Sequence, residues 1–192
     1  MTQNAAALKD RVVLRALSDA PEKGWTRAAL ESAAHACGAR PGVFSGPDAA
    51  LAYASDLFDR QMTAQLAVVD PTHLRVRERV ARAVMTRLDL MAPYRAGLRV
   101  ALPRRALPLR ALRGAAPLWR SADKIWNWAG DTATDYNRYT KRALLSGVMA
   151  STVLFWLSDD SPGMAATHGF LERRIANVLC IGQTIGKFKR AA

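Results

Sequence analysis

Segments that alternate apolar and polar residues, as a half-buried strand requires, are almost absent from this chain. Alanine and arginine, which are strong helix formers, fill most of the positions outside the predicted core. Pro and Gly divide the sequence into helix-length segments joined by short loops. These patterns predict an all-α fold of about nine helices, near 4–20, 26–37, 47–69, 72–91, 93–101, 104–113, 117–129, 132–158 and 163–189.

The size and composition of the chain are those of a folded protein. It has 192 residues, of which 50% are apolar, and a chain of this length buries about 70% of its unfolded surface, which excludes a disordered chain. The two cysteines, Cys37 and Cys180, are too few for a disulfide framework and are interpreted as small core residues. His35, His73 and His168 are scattered without metal-ligand spacing, so no metal site and no cofactor are predicted.

The segment 143–158 is the longest uncharged run in the sequence and has 16 residues. A bilayer requires about 20 consecutive apolar residues, so this segment is predicted to be a buried helix rather than a transmembrane one. Residues 1–20 include Asp10 and Asp19 and show no signal-peptide pattern. The sequence therefore predicts a cytoplasmic protein.

Basic residues outnumber acidic ones, and the formal net charge is +12. The excess is concentrated in 72–120, which holds twelve arginines and two acidic residues, whereas 1–71 holds seven basic and eight acidic residues. Two interpretations remain open. The arginines either cover solvated helix faces, or they form a basic surface that faces anionic lipid or an acidic partner.

Residues 26–38, followed by 39–42, resemble the helix and turn that open a helix-turn-helix. A DNA-binding protein next requires a recognition helix, but closely spaced Pro and Gly residues in 41–47 leave less than one helical turn for it. These features predict a degenerate helix-turn-helix lobe at 1–48, without specific DNA binding, and a larger helical lobe at 49–192.

The segment 119–143 concentrates aromatic residues and carboxylates. Gly130 suits the left-handed end of one helix, and Asp131 or Thr132 can cap the next. Asp131 and Asp135 are therefore interpreted as capping residues, since a metal site would need further ligands. No enzymatic activity is predicted, because no nucleophile, base and orienting group converge in the sequence.

In the helix that follows, Ala143, Gly147 and Ser151 recur every four residues, so one face has almost no side-chain bulk. Either another helix approaches closely along this face, or the missing volume becomes an apolar cavity that admits a hydrophobic ligand. In the second case the apolar residues of the same helix would line the remaining wall: Leu144, Val148, Met149, Phe155 and Trp156.

Several motifs together resemble one known family. They are Ala129-Gly130-Asp131-x-x-Thr134-Asp135-Tyr136-Asn137-x-Tyr139-Thr140-x-Arg142-Ala143, Ser151-Thr152, Asp160-Ser161-Pro162, Thr167-x-x-Phe170-Leu171-Glu172-x-Arg174 and Gly24-Trp25-Thr26. On these motifs the chain resembles the ubiquinone-biosynthesis accessory proteins of TetR-like fold, the family of the ninth named coenzyme Q protein. The resemblance runs from about residue 8 to residue 189.

The resemblance implies a non-enzymatic lipid-binding protein that presents an isoprenoid quinone precursor to a di-iron hydroxylase, forms a homodimer and has lost DNA binding. The predicted lipid-binding residues are Trp126, Ala143, Leu144, Gly147, Val148, Met149, Ser151, Thr152, Phe155 and Trp156. The predicted partner-binding residues are Asp131, Asp135, Asn137, Arg138, Tyr139 and Arg142. The alternative function is a TetR-like transcriptional regulator that senses a small hydrophobic ligand.

Two departures from the family pattern bear on these expectations. Arg138 stands where the family has an exposed Trp at the surface that meets the hydroxylase, so we expect that surface to differ or to meet a different enzyme. Mitochondrial members carry an additional C-terminal amphipathic helix as a membrane anchor, which this sequence does not show. Attachment is therefore expected through the arginine-rich 72–120. The expected location is the bacterial cytoplasm, peripheral to the inner face of the cell membrane.

Overall fold

A computed structural model describes residues 2–102, 108–131 and 136–191, and the side chains of 5–102, 115–131 and 138–178 among them. These residues form helices and connecting turns, with no strand in the described ranges, which confirms the all-α prediction. The α-helices are α1 (Thr2–Lys23), α2 (Arg27–Ala36), α3 (Pro47–Leu66), α4 (Val76–Met91), α5 (Arg95–Ala101), α6 (Pro108–Trp128), α7 (Tyr136–Trp156) and α8 (Ala165–Ala191). Single 3-10 turns lie at Ala92–Tyr94 and Pro162–Met164.

The helix prediction is wrong at Pro117. Two helices were expected at 104–113 and 117–129, but α6 runs without interruption from Pro108 to Trp128 with Pro117 inside it. A proline in a helix removes one backbone hydrogen bond without forcing the helix to end. Beyond Pro117, burial recurs at Ala122, Ile125 and Ala129, and this stripe stabilises the continued helix.

The helices belong to two compact units. The first consists of Met1–Gln65 and Arg87–Pro117, and the second consists of Leu66–Thr86 and Leu118–Ala192. The sequence-based boundary at residue 48 stays a prediction.

In the first unit, α1 packs against α2 and α5. The buried side of α1 includes Val13 and Leu17, and Gly97 of α5 lies directly against the backbone of Leu17. A buried ion pair joins Arg87 Nε to Asp59 Oδ1 at 2.8 Å, and Arg87 Nη2 also donates to the hydroxyl of Ser55 at 2.9 Å. The carboxylate of Asp59 thus has a charged partner inside the core.

The region of the predicted helix-turn-helix lies in the first unit. Thr26 caps α2, and its Oγ1 accepts the backbone N–H of Ala29 at 3.1 Å. Gly38 has φ +71, the left-handed conformation expected after the helix. Residues 37–46 form turns and bends up to the start of α3, so no recognition helix lies between α2 and α3. Cys37 is only half-buried, contrary to its interpretation as a core residue, and the Cys180 side chain lies outside the described part.

In the second unit, α8 packs along α7, and the end of α6 is fixed by hydrogen bonds from two side chains. Trp128 Nε1 donates to the carbonyl of Leu66 at 3.1 Å, and Arg79 Nη1 donates to the carbonyl of Ala129 at 3.1 Å. These bonds hold the corner between α6 and α7 in place.

The start of α8 is capped by the buried carboxylate of Asp159. Its Oδ1 accepts the N–H of Ser161 at 2.8 Å, and its Oδ2 accepts the N–H of Thr167 at 2.8 Å and the Thr167 hydroxyl at 2.5 Å. Hydrogen bonds from the side chains of Ser161 and Thr167, followed by their backbone N–H groups, hold the pKa of Asp159 far below its usual range.

Because of the Asp159 cap, we expect the free energy of unfolding to decrease as the pH falls into the acid range. The pKa of Asp159 is lower in the folded state than in the unfolded state, so the unfolded chain takes up the proton first as the pH falls. The stabilisation is complete above about pH 5 and is lost progressively below about pH 4. Urea unfolding at a series of pH values should therefore show a steeper acid loss in the wild type than in Asp159→Asn. If the free energy of unfolding fell equally with pH in the wild type and in Asp159→Asn, this role of Asp159 would be contradicted.

Candidate functional site

The corner between α6 and α7 brings together most of the residues predicted to bind a partner. Gly130 follows α6 with φ +85, as expected for a helix that ends in a left-handed glycine. The N–H of Asp131 donates back to the carbonyl of Trp126 at 3.0 Å. Thr132 and Asp135 lie outside the described residues, and Asn137 is in the first turn of α7 with its side chain outside the described part.

A buried guanidinium joins the two helices at this corner. Arg142 of α7 is 2% exposed, and its Nε donates to Asp123 Oδ1 at 2.5 Å. Its Nη1 donates to Asp131 Oδ2 at 3.1 Å, and its Nη2 donates to Asn127 Oδ1 at 3.3 Å. Lys141 Nζ completes the cluster by binding Asp131 Oδ1 at 2.7 Å. We call these five residues the corner cluster.

Electrostatics at the corner favour the ionised form of Asp123. Burial raises the pKa of Asp123, but the hydrogen bond and charge of Arg142, together with the charge of Arg138, outweigh burial and lower it. The side chains of Arg142 and Asp131 are 2% and 3% exposed and bind each other inside the protein. In this arrangement they position the corner.

The outer part of the corner carries the exposed Tyr139 and Arg138 and the half-buried Trp119. Tyr139 is 61% exposed, and its ring stacks on that of Trp119 with centroids 6.2 Å apart. The Arg138 side chain is 45% exposed and reaches Asp123 Oδ1 at 3.4 Å. An exposed aromatic ring held by a second ring is the kind of group that anchors protein interfaces.

The predicted lipid-binding residues of α7 divide between two sides of the helix. Ala143 and Gly147 are exposed, and a Cβ added to Gly147 would meet no described atom within 4 Å. Neither expected arrangement, a close helix or an enclosed cavity, is therefore seen along this small-residue face in the described part of the chain. Ser151 is half-buried, and Leu154 further along is exposed.

The opposite side of α7 is buried and almost entirely apolar. It carries Leu145, Val148, Met149, Thr152 and Trp156, which recur at helical spacing. The hydroxyl of Thr152 has no hydrogen-bond partner among the described residues. We call these five residues the buried stripe of α7.

The last residue of the buried stripe contacts the 3-10 turn before α8, and the first turns of α7 contact α6. Trp156 Nε1 donates to the sulfur of Met164 at 3.0 Å. Trp126 of α6 donates its Nε1 proton to the carbonyl of Lys141 at 3.1 Å, and the Lys141 ammonium lies over its ring. Of the other two predicted residues, Leu144 is half-buried, and Phe155 stacks on Phe170 of α8 with centroids 4.5 Å apart.

The sequence analysis missed Asp123 and Trp119 as members of this site. A signal for Asp123 was present, because Asp123, Asn127 and Asp131 are four residues apart and so project from one side of the chain. All three accept hydrogen bonds from Arg142.

The described residues contain no group of three or more His, Cys, Asp or Glu side chains that could hold a metal ion. No helix in the same part of the chain is long and apolar enough to cross a bilayer.

Two of the arginines of 72–120 bind groups of the protein itself. Arg87 is buried against Asp59, and Arg79 donates to two backbone carbonyls. Arg104, Arg105, Arg110 and Arg113 lie outside the residues whose side chains are described.

Comparisons with known proteins connect the chain to one family. The COQ9 family model matches residues 111–182. The chain is 29% identical to the ubiquinone biosynthesis protein COQ9 of Rattus norvegicus, over 95% of this chain and 62% of the relative. It is 29% identical to the Homo sapiens protein of that name, over 95% and 61%, and 32% identical to the Drosophila melanogaster protein, over 88% and 54%. The chain thus spans about three-fifths of the length of these relatives.

Among solved structures, the fold matches that of a TetR transcriptional regulator from Nitrosomonas europaea with a TM-score of 0.71. The match covers 90% of this chain and 98% of the regulator at 19% identity, so it concerns the fold alone. It confirms the predicted TetR-like architecture.

The prediction of a bacterial cytoplasmic location, at the inner face of the cell membrane, is wrong by this comparison, because the rat, human and fruit-fly relatives are all named as mitochondrial proteins.

The prediction of the family from its motifs is confirmed by the family model and by the relatives, which match along most of the chain. The chain is similar over most of its length to COQ9 proteins, which are named as ubiquinone biosynthesis proteins, its residues 111–182 match the COQ9 family model, and it has a TetR-like fold.

Proposed function

We propose that this chain is a non-catalytic accessory protein of ubiquinone biosynthesis that binds isoprenoid quinone precursors and presents them to the di-iron hydroxylase of the pathway. The observation that carries the proposal is the placement of an apolar buried stripe and the exposed ring of Tyr139, which stacks on Trp119 of α6, on the same helix, α7. The stripe supplies the surroundings for a lipid, and the aromatic pair supplies a contact for the enzyme.

The lipid half of the proposal rests on the second unit. The buried stripe offers Leu145, Val148 and Met149 as apolar contacts. Met149 and Met164 are unbranched and have flexible thioether side chains, so they can rearrange around an isoprenoid chain. The second copy of a homodimer is proposed to cover the opposite side of α7, where small residues and the exposed Leu154 would allow close contact.

The docking half of the proposal rests on the corner cluster. Arg142 and its carboxylates hold the start of α7 against α6, and the same two helices carry Tyr139 and Trp119. The enzyme is proposed to contact the aromatic pair and Arg138, while the buried charges keep these groups in position. Because Arg138 replaces the Trp expected for the family, the aromatic contribution here comes from Trp119 and Tyr139.

Removal of the exposed ring should weaken binding to the hydroxylase. We expect Tyr139→Ala to lower the affinity about thirtyfold or more, because truncating an aromatic hot-spot residue costs about 2 kcal/mol or more. Tyr139→Phe should bind nearly as well, since it keeps the ring that stacks on Trp119. Quantitative pull-down of the hydroxylase measures the effect, with Arg173→Ala on the exposed surface of α8 as the control. Equal capture by Tyr139→Ala and the wild type would count against docking at this corner.

We propose that the second unit also contacts an anionic lipid surface through the loop between α3 and α4. Val68 is 88% exposed, and Val76 is exposed beside Arg75 and Arg77. Exposed apolar residues that lie next to arginines suit the boundary between lipid head groups and acyl chains.

Vesicle flotation should reveal this contact. The wild type is expected to float with vesicles that contain an anionic lipid, and flotation should fall as salt screens the arginines. The double variant Val68→Glu/Val76→Glu should lose it. Ala165→Glu/Ala166→Glu is the matched control, since it places the same charge at two exposed apolar positions of α8. Equal flotation with neutral and anionic vesicles, or flotation that does not change with salt concentration, would contradict the proposed surface.

A further inference from the structure

Thr152 has a buried hydroxyl group that makes no hydrogen bond to any described residue. The residue is 0% exposed, and its Oγ1 accepts and donates no hydrogen bond within the described part of the chain. Buried hydroxyls in folded proteins are nearly always paired, because an unpaired one is costly to remove from water. An unpaired hydroxyl in the core therefore calls for an explanation.

The usual local partner of a helical threonine is not used by Thr152. A threonine in a helix commonly donates to the carbonyl four residues earlier, which here belongs to Val148. That carbonyl is instead approached by the hydroxyl of Ser151, whose Oγ lies 3.0 Å away. The Thr152 hydroxyl is therefore free to form a hydrogen bond with a group outside its own helix turn.

The surroundings of Thr152 along α7 are apolar. Val148 and Met149 precede it by one turn, and Trp156 follows it by one turn with its indole proton on the Met164 sulfur, which is a weak acceptor. A valine would have the same shape as Thr152 and would fit such surroundings without a desolvated hydroxyl. The hydroxyl is therefore the distinctive chemical group of the buried stripe.

We infer that the Thr152 hydroxyl is the hydrogen-bonding contact for an oxygen atom on the ring of a prenylated benzoquinone or phenol bound in the second unit. This inference rests on the proposed function, because it names the ligand class of the same lipid site. A hydroxyl can donate to a quinone carbonyl and can accept from a phenol, so it serves either oxidation state of the ring. A phospholipid is a poorer match, since its charged head group cannot be buried against a single hydroxyl.

The test compares two probes that share one prenyl chain. One probe is a prenylated benzoquinone, and the other carries the same chain on a benzene ring without oxygen. The full-length chain is incubated with vesicles that contain one probe and is then re-isolated by gel filtration. Mass spectrometry measures the probe retained per protein chain. The wild type is expected to retain the quinone more strongly than the oxygen-free probe.

The variants separate the hydroxyl from the shape of the side chain. Thr152→Val should lower retention of the quinone about fivefold, the usual effect of one lost hydrogen bond, and should leave the oxygen-free probe unchanged. Its thermal midpoint should equal or exceed that of the wild type, because the unpaired hydroxyl is gone. Thr152→Ser keeps the hydroxyl and should retain the preference for the quinone.

Each contrary outcome has a distinct meaning. Equal retention of the quinone by Thr152→Val and the wild type would overturn this inference and leave the lipid proposal standing. An equal loss of both probes, or a Thr152→Val chain that fails to fold, would also overturn it, since the hydroxyl would then have a structural role. If the wild type retains neither probe, the lipid half of the proposed function fails together with the inference.

Discussion

Gly97→Ala should destabilise the first unit by about 3 kcal/mol, because the added methyl group has no room. A Cβ at Gly97 would lie 1.8 Å from the carbonyl oxygen of Leu17 and 2.7 Å from its carbonyl carbon. Both atoms belong to the backbone of α1, so no side chain can rotate away to relieve the clash. The helices α1 and α5 would have to separate, which would open the packing around Leu17 and Leu98. Chemical denaturation measures the loss as a lower unfolding midpoint.

Gly169→Ala provides the matched control for this prediction. Gly169 is also inside a helix, but a Cβ there would meet only the guanidinium end of Arg173 at 3.4 Å, and that flexible end can move. Alanine favours the helix over glycine by about 1 kcal/mol, so this variant should be at least as stable as the wild type. The account of the contact between α1 and α5 would be contradicted if the two alanine variants had the same stability.

Arg142→Met should be the second strongly destabilising change, at about 3 kcal/mol, because it removes the buried guanidinium that binds two carboxylates at the corner. Asp131 would keep Lys141, but Asp123 would lose its short contact with the guanidinium, and Asn127 would lose its donor. We expect a lower midpoint in thermal and urea unfolding. We also expect weaker capture of the hydroxylase, since the start of α7 would no longer be fixed against α6.

Arg138→Ala is the control, because both arginines bind the same oxygen of Asp123 while only Arg142 is buried. An exposed ion pair contributes about 1 kcal/mol or less, so Arg138→Ala should change stability little. The double variant Arg142→Met/Asp131→Asn should recover part of the lost stability, because it also neutralises the buried carboxylate that Arg142 no longer binds. A loss of similar size in the two single variants would show that burial of Arg142 is not what makes it important.

Local signals in the sequence predicted local structure well. Gly130 after α6 acts through its own backbone neighbours, so its role could be recognised from residue type and spacing. Pro117 misled the prediction for a related reason. Proline usually marks the end of a helix, but a helix can absorb one missing hydrogen bond when its next turns are buried.

The orientation of α7 could not be predicted from its pattern. Periodicity showed that Ala143 and Gly147 share a face, but the opposite side carries Leu145 and Met149 at an equally regular spacing. Which side is buried depends on packing partners that are distant in the sequence. The same holds for Arg142, which looked like a surface residue and is buried because Asp123 lies across from it on α6.

The central claim is that this chain carries a prenylated quinone precursor, and lipid analysis of the purified protein tests it most directly. The full-length chain should be purified from its source without detergent, and its bound lipids should be extracted and identified by mass spectrometry. We expect a compound with an isoprenoid chain on an oxygen-bearing ring, in an amount close to one per protein chain, and a matching mass increase in the intact complex. A lipid-free chain that also acquires no prenylated benzoquinone from vesicles would contradict the claim.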